Sequence, residues 1–447
     1  MTTQNETNQA TPKIIVLDDD PTGSQTVHSC LLLLKWDVET LVLGLQDASP
    51  IFFVLTNTRS LTPEAAAAVT TEVCENLKQA LTRTNTTNFL LVSRSDSTLR
   101  GHYPVETDVI AEHLGPFDAH FLTPTFFEAG RVTVDSTHYI ESNGQRVPTH
   151  DTEFAKDSVF GYSTSYLPDY VEEKTKGRIP ASEVEQFTLE DIRQGSLNRL
   201  LTLAGNRCVA VDGETQRDLD KFASDLLTAA AQGKKFLFRS AASLLTSLAH
   251  LPPQPTAPEE MYQLTHGSAG AIIVGSHVRK TTLQLEALLN APNTVGVEVN
   301  VSQLKNNPDT GHDQLLNAVI KAIKEAHSEQ KTPVIYTSRT ELTFESSQVR
   351  LAFGDAISAL LVEVVQALPK DIGFLISKGG ITSNNTLSKG LALTSARLLG
   401  QVIPGVSVVT TPSDHPQFVD LPVVVFPGNV GDDAALALAY KRLANIG

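Results

Sequence analysis

Short apolar runs recur along this chain, at Ile14–Leu17, Ile51–Leu55, Phe89–Val92, Cys208–Val211, Ala271–Val274, Pro333–Tyr336, Ile372–Ile376 and Pro422–Phe426. Runs that are apolar on successive residues fit strands covered on both faces, the pattern of a parallel sheet. Longer amphipathic stretches lie between many of them. In Thr62–Leu81, Thr62 can cap the first turn, Pro63 suits the first helical position and Glu64 meets the positive end of the helix dipole. Strand alternating with helix predicts an α/β fold with mostly parallel sheets flanked by helices.

A chain of 447 residues with 41% apolar content exceeds one ordinary core and predicts two domains. The proline-rich stretch from Leu251 to Glu260 marks the boundary. The expected division is a disordered tail over 1–13, a first domain over 14–250, a linker over 251–268 and a second domain over 269–447. From Thr149 to Asp191 the pattern weakens into charged and aromatic residues, which predicts a less regular excursion.

With 35 Lys+Arg against 50 Asp+Glu, the formal charge of -15 opposes attraction to nucleic acid or anionic membrane. An anionic substrate therefore needs a local cationic pocket. Cys30, Cys74 and Cys208 are odd in number and far apart, which suits buried thiols in a reducing compartment. Met1 to Lys13 is polar, and no run approaches the roughly 18 apolar residues of a membrane span. The expectation is a soluble cytoplasmic protein.

Ligands of open α/β sheets bind beyond the carboxyl ends of strands, so the residues after each run carry the functional argument. Ile14–Leu17 leads into Asp18-Asp-Asp-Pro-Thr-Gly23, whose carboxylates repel one another unless donors, a cation or a proton shares the site. An acidic turn capping a helix is an equally good account of that cluster alone. Ile51–Leu55 leads to Arg59, a planar fork of donors for a carboxylate, although a lone arginine is more often a surface ion pair. Phe89–Val92 leads into Ser93-Arg-Ser-Asp-Ser-Thr-Leu-Arg-Gly101, two arginines, one carboxylate and four hydroxyls in nine residues. That density suits a polyhydroxy acid: arginines neutralise its carboxylate while Asp96 and hydroxyls bond its alcohols. Thr123–Arg131 adds a weaker cluster in which Glu128 and Arg131 can simply pair.

The second half carries glycine and small hydroxyl residues at its strand ends instead: Gly275-Ser-His277, Ser377-Lys-Gly-Gly-Ile-Thr-Ser383 and Pro427-Gly-Asn-Val-Gly-Asp-Asp433. Glycines let backbone N–H groups approach phosphate oxygens. Each alone is an ordinary turn; three in one domain point to a nucleotide. Neither G-x-x-x-x-G-K-[ST] nor G-x-G-x-x-G occurs, which lowers the P-loop and dinucleotide readings. H-E-x-x-H, G-x-S-x-G and metal-spaced Cys/His sets are absent as well, leaving zinc and serine hydrolases unsupported. His28, His102 and His277 adjoin clusters and read as structural.

In this order the clusters resemble the four-carbon acid sugar kinase family over nearly the whole chain. Asp19-Asp20-Pro21-Thr22-Gly23 is similar to its acidic D-D-x-T-G turn, and Asp96-Ser-Thr-Leu-Arg-Gly101 matches its D-S-T-L-R-G signature, the most specific piece; Pro124, Glu128, Gly130 and Arg131 resemble the next block. Gly275-Ser276, Gly379-Gly-Ile-Thr-Ser383 and Gly428-Asn-Val-Gly431 resemble the segments that contact ATP. Pro21 stands where an apolar residue is common and Ile381 where many members are acidic, which leaves the particular sugar open. The resemblance implies two α/β domains with the active site in the cleft between them, and phosphorylation of a terminal hydroxyl of a tetronate, 3-oxo-tetronate or branched oxo-acid. It implies substrate binding by Asp19, Asp20, Arg59, Ser95, Asp96, Ser97, Thr98, Arg100 and Gly101. ATP with Mg²⁺ would be held by Ser276, Gly379, Gly380, Ile381, Thr382, Ser383, Gly428, Asn429 and Gly431, with no metal ligand named. Asp19, Asp96 and Asp432 are the catalytic candidates. A homodimer is compatible with this scheme. The competing classes are a nonenzymatic nucleotide-responsive regulator and a nicotinamide-dependent sugar-acid dehydrogenase.

Overall fold

The computed structural model describes residues 11–142, 144–266, 269–306, 310–339 and 342–446. Residues 1–10 of the expected tail, and 267–268 of the expected linker, lie outside the described residues; Lys13, the last residue of that tail, opens the first strand. Contacts divide the chain into two compact units. One comprises residues up to Gly23 together with Lys35–Pro252, the other Ser24–Leu34 together with the chain from Pro253 onward.

The first unit is built on seven parallel strands in the order Ile51–Leu55, Lys13–Asp18, Phe89–Arg94, Phe236–Ser240, Ala119–Thr123, Arg207–Val211, Glu185–Phe187. Ile51–Leu55, Ala119–Thr123 and Phe236–Ser240 are buried at every residue, as strands covered on both faces must be. Helix Pro63–Thr84 starts as its sequence dictates: Thr62 Oγ1 accepts the Ala65 N–H and Pro63 fills the first turn. It buries Ala66, Thr70, Val73, Cys74, Leu77 and Leu81, one face at helical spacing. Phe121 packs against Phe222, Phe236 and Phe238 in the core beside the sheet.

The residues just before the weakly patterned stretch and most of that stretch form a separate layer, while Glu185–Phe187 within it joins the main sheet. Arg131–Val134, Thr137–Ser142 and Gln145–Pro148 form a three-stranded antiparallel sheet, followed by short 3-10 turns and helix Leu167–Lys174. Its buried Tyr162, Leu167 and Tyr170 join Leu99 and Tyr103 in a small core of their own.

The second unit orders its strands Thr294–Val299, Thr332–Thr337, Ala271–Val274, Leu375–Lys378, Pro422–Phe426, Val406–Thr410, Ser395–Ile403, Leu31–Leu33. The first five are parallel and the last three antiparallel to their neighbours. Leu31–Leu33 pairs with Ser395–Arg397, which is why Ser24–Leu34 belongs to this unit although a span read along the chain places it in 14–250. The run expected at Ile372–Ile376 pairs only as Leu375–Lys378; Ile372 and Phe374 are buried as core residues ahead of it. The proline-rich stretch is packed rather than free: it holds the 3-10 helix Pro258–Leu264, whose Met261 is fully buried with Phe374 and Tyr440. Among the described residues no helix is long and apolar enough to cross a membrane.

Candidate active site

Parallel pairing in the first unit aligns the strand ends. Asp18 stands beside Leu55 and Arg94, Arg94 beside Ser240, and Ser240 beside Thr123. The polar residues that follow these runs therefore meet along one edge of the sheet. Asp19 is almost fully buried and its two carboxylate oxygens receive Arg59 Nη2, Arg59 Nε (3.2 Å) and Ser95 Oγ (2.7 Å). Arg59 also reaches Asp20 at 3.5 Å, and Asp20 accepts the Thr22 N–H at 2.8 Å. Asp96 accepts Arg100 Nε at 2.6 Å and the Thr98 hydroxyl. Arg100 lies 3.6 Å from Asp157 and stacks over the Phe154 ring at 5.0 Å.

These pairings fix charge. Burial pushes the Asp96 carboxyl up, but Arg59 and Arg100 outweigh it and hold it well below the carboxylate range. Asp20 is likewise depressed, with burial opposed by Arg59 and the Thr22 hydrogen bonds. Burial works against the Arg59 cation, yet Asp19, Asp20 and Asp96 raise it well above its ordinary value. Asp18 is the opposite case: burial outweighs Arg94 and lifts it to about 7. Among the described residues its Oδ2 has no hydrogen-bond partner.

Sequence reasoning missed the support beneath this row. Arg239, buried at the end of Phe236–Ser240, donates to Ser93 Oγ (2.7 Å), Ser95 Oγ (2.7 Å) and Glu106 Oε2 (2.5 Å). A single arginine inside an apolar run was the available signal. Gly101 has φ of +123°, and a Cβ there would sit 2.4 Å from Ser95 Oγ and 2.6 Å from Arg239 Nη2, so only glycine lets these groups converge. The carbonyls of Ser97, Thr98 and Leu99 are held by His138 Nε2 (2.7 Å), Tyr162 OH (2.7 Å) and Tyr170 OH (2.8 Å). His138 on the small sheet, with Tyr162 and Tyr170 of the irregular excursion, thus braces the D-S-T-L-R-G loop. Burial drops His138 to about 4, so its neutral ring serves this bond. A small cavity lies against Asp96, Arg100, Tyr103, Leu122, Tyr170 and Arg239.

Glu128 and Arg131 form no ion pair among the described residues; Arg131 donates to Ala129 O, and its Nε is buried without a partner. His102 is structural, its Nε2 lying 3.1 Å from the carbonyls of Thr58 and Leu61.

In the second unit Val274, Lys378 and Phe426 are in register, so the three glycine turns follow at adjacent strand ends. A Cβ on Gly275 would lie 2.2 Å from Thr382 Oγ1, and one on Gly379, at φ +112°, would lie 3.1 Å from Ser276 Cβ. Thr281 Oγ1 contacts Ser276 Oγ at 3.2 Å and Gly428 O at 3.4 Å. Ser276, Gly379, Thr382 and Gly428 are therefore brought together, with Gly380 opening the short helix Gly380–Asn385. Ile381 is 68% exposed, and Asn429, Gly431 and Asp432 are exposed at the rim. Ser383 is turned inward, its hydroxyl given to Ser377 O at 3.0 Å. His277 is exposed. Lys378 and Arg339 were not singled out from sequence, and both are spent on carbonyls of this region. Lys378 Nζ donates to Pro427 O (2.5 Å) and Gly428 O (3.2 Å), and Arg339 donates to Ser276 O (2.6 Å) and Thr337 O (3.0 Å).

Comparison with known proteins matches the chain in two parts, the first of which includes Ser24–Leu34. Residues 14–248 match a family model described as a sugar-binding N-terminal domain, and residues 271–436 one described as a nucleotide-binding C-terminal domain. A curated D-erythronate kinase from Heliobacterium modesticaldum is 24% identical over 418 residues, 88% of each chain. Two solved structures share the fold. A Salmonella typhimurium LT2 protein described as a putative tRNA synthase has a TM-score of 0.70 at 17% identity, covering 96% of this chain and 99% of its own. A Haemophilus influenzae protein of the DUF1537 family has a TM-score of 0.63 at 17% identity, covering 96% and 100%. A sugar-binding domain followed by a nucleotide-binding domain defines a sugar-directed kinase class. The chain belongs to the four-carbon acid sugar kinase family.

Proposed function

We propose that this chain is an ATP-dependent kinase that phosphorylates the terminal hydroxyl of a four-carbon sugar acid of the tetronate or 3-oxo-tetronate type. The observation that carries this reading is the row Asp19–Arg59–Asp96–Arg100 along the carboxyl ends of parallel strands, in the unit matched by the sugar-binding model. Alternating carboxylates and guanidinium groups recognise a molecule that is itself a carboxylate bearing hydroxyls. The D-erythronate kinase relative supports an acid of four carbons.

Arg59 and Arg100 take the acid's carboxylate, exchanging part of their bonding to Asp19 and Asp96. Asp96, kept ionised by those arginines, accepts from its hydroxyls together with Asp19. Phosphoryl transfer is mainly positioning and charge stabilisation, with a carboxylate to take the hydroxyl proton. Asp19, Asp96 and Asp432 are the candidates, Asp432 being exposed with Oδ1 bonded to the Ala434 N–H at 3.1 Å. Ser276, Gly379, Gly380, Thr382 and Gly428 hold ATP. Asp432 at the turn would hold Mg²⁺, which would supply charge neutralisation at the phosphate oxygens.

The test incubates purified protein with ATP, Mg²⁺ and a panel of threonate, erythronate, 3-oxo-tetronates and branched oxo-acids, following ADP and the phosphorylated acid. ADP release dependent on one acid is expected. Binding of ATP with no phosphorylated product from any acid would overturn the reading in favour of a regulator. Asn at Asp19, Asp96 or Asp432, with kcat measured apart from KM, identifies the proton acceptor as the position where kcat collapses.

A further inference from the structure

The turn from Pro427 to Asp432 has an unusual polarity. Its carbonyls are drawn back by side chains: Pro427 O and Gly428 O by Lys378, Gly428 O also by Thr281, Val430 O (3.0 Å) and Asp432 O (2.8 Å) by Gln284, and Gly431 O by Lys280 at 3.2 Å. Among the described residues no acceptor takes the N–H of Gly428, Asn429, Val430 or Gly431. Five of the six carbonyls from Pro427 to Asp432 are engaged in this way, and a turn whose carbonyls are held by side chains while its N–H groups are left free is the arrangement that binds anions.

At the base of this turn sits a charge without a counter-charge. Lys378 is fully buried at the end of its strand, Nζ 4.2 Å from the Phe426 ring centroid, and no carboxylate pairs with it among the described residues. Two backbone carbonyls and a ring face stabilise an ammonium less than a carboxylate would, and burial is costly for any unpaired ion. The charged group facing it from the neighbouring helix is Lys280, another cation. Arg339 repeats the pattern at the Gly275-Ser276 turn, where it binds Ser276 O and Thr337 O and forms no ion pair among the described residues.

We infer that Lys378 is a positioning residue for the nucleotide phosphates: its ammonium pulls the Pro427 and Gly428 carbonyls inward, aims the following N–H groups outward, and supplies buried positive charge that an incoming polyphosphate neutralises. This rests on the proposed binding of ATP by the second unit and says what reads the phosphates there. Lys378 does not touch the ligand; it acts through the turn. Burial first, and Lys280 second, bring the ammonium down to about 7, so the charge the turn needs is present in acid and lost in alkali. Phosphate bound at the turn raises it again. ATP affinity should therefore weaken as pH rises from 6 to 8.5.

The experiment measures Kd by calorimetry for ATP, inorganic pyrophosphate and adenosine at pH 6, 7 and 8.5, in wild type, Lys378→Met and Lys378→Arg. Thermal unfolding of each variant confirms folding. Lys378→Met should raise the Kd for ATP and pyrophosphate about tenfold at pH 6, leave adenosine unchanged, and flatten the pH trend to that of the phosphates alone. Lys378→Arg should keep tight binding at pH 8.5, because a guanidinium stays charged. Should Lys378→Met fold poorly, the wild-type pH trend and Lys378→Arg decide the matter. Wild-type protein that binds none of the three ligands would overturn the nucleotide assignment itself. Wild-type protein that binds ATP with the same affinity and pH trend as folded Lys378→Met or Lys378→Arg would overturn the role of Lys378 alone.

Discussion

Replacing Arg239 by Met strands Glu106. The pair is enclosed, with side-chain exposures of 9% and 6%, and its Nη1–Oε2 distance is 2.5 Å. Glu106 would keep only the Thr58 hydroxyl at 2.6 Å. Removing one partner of a buried ion pair costs about 3–5 kcal/mol, because the survivor has neither water nor a counter-charge. The Ser93 and Ser95 hydroxyls each lose a donor, at about 1 kcal/mol apiece, while Met conserves most of the apolar volume. A loss of about 5–7 kcal/mol is a large share of the roughly 5–15 kcal/mol that a folded domain possesses. Trp36, the chain's single tryptophan, belongs to the first unit and reports its unfolding by fluorescence in a urea titration. Adding Glu106→Gln to Arg239→Met removes the stranded charge and should recover about 2 kcal/mol. The reasoning fails if Arg239→Met costs under about 1 kcal/mol, or if the double variant is as unstable as the sum of the singles.

Gly101→Ala should cost about 3 kcal/mol and most of the kinase activity, since the methyl meets Ser95 Oγ and Arg239 Nη2 at a backbone angle of +123°; a wild-type melting temperature would contradict this. Asp18 titrates near 7 folded against about 3.8 free, so the folded state holds the extra proton between those values and stability falls as pH rises through them. Asp18→Asn removes that fall: its stability relative to wild type should improve by up to about 4 kcal/mol from pH 4 to pH 8, and a constant difference would show that Asp18 is ionised throughout. Arg100→Ala should raise KM for the sugar acid about tenfold or more with KM for ATP unchanged; an unaltered acid KM would exclude Arg100 from the carboxylate clamp.

What could be read from sequence followed from local pattern. Ile51–Leu55, Ala271–Val274 and Pro422–Phe426 are strands at the expected residues because full burial demands unbroken apolar runs. Thr62 and Pro63 open their helix because capping and fixed φ are properties of those residues themselves. Site clusters were visible since parallel strands end together, so Asp19, Arg59 and Asp96 needed only adjacency in the sheet to meet. Arg239 was not visible: it interrupts an apolar strand, and its value lies in Glu106 and Ser95, distant in sequence. Tyr162, Tyr170 and His138 were hidden for the same reason, each holding a carbonyl of a loop some forty to seventy residues away. Lys378 lies beside a glycine turn, yet nothing local says that an ammonium there points inward.

The strand Leu31–Leu33 has a consequence for how such a protein can be divided or inherited. The chain passes between the units after Gly23, again after Leu34 and again after Pro252. A fragment beginning at Pro253 would carry every glycine turn of the nucleotide half and still lack its outermost strand, leaving Ser395–Arg397 with bare backbone donors and acceptors. Neither half is a portable cassette. A gene shuffled at the proline-rich stretch would yield two pieces that misbehave alone, so the pair is expected to travel through evolution as a single heritable block.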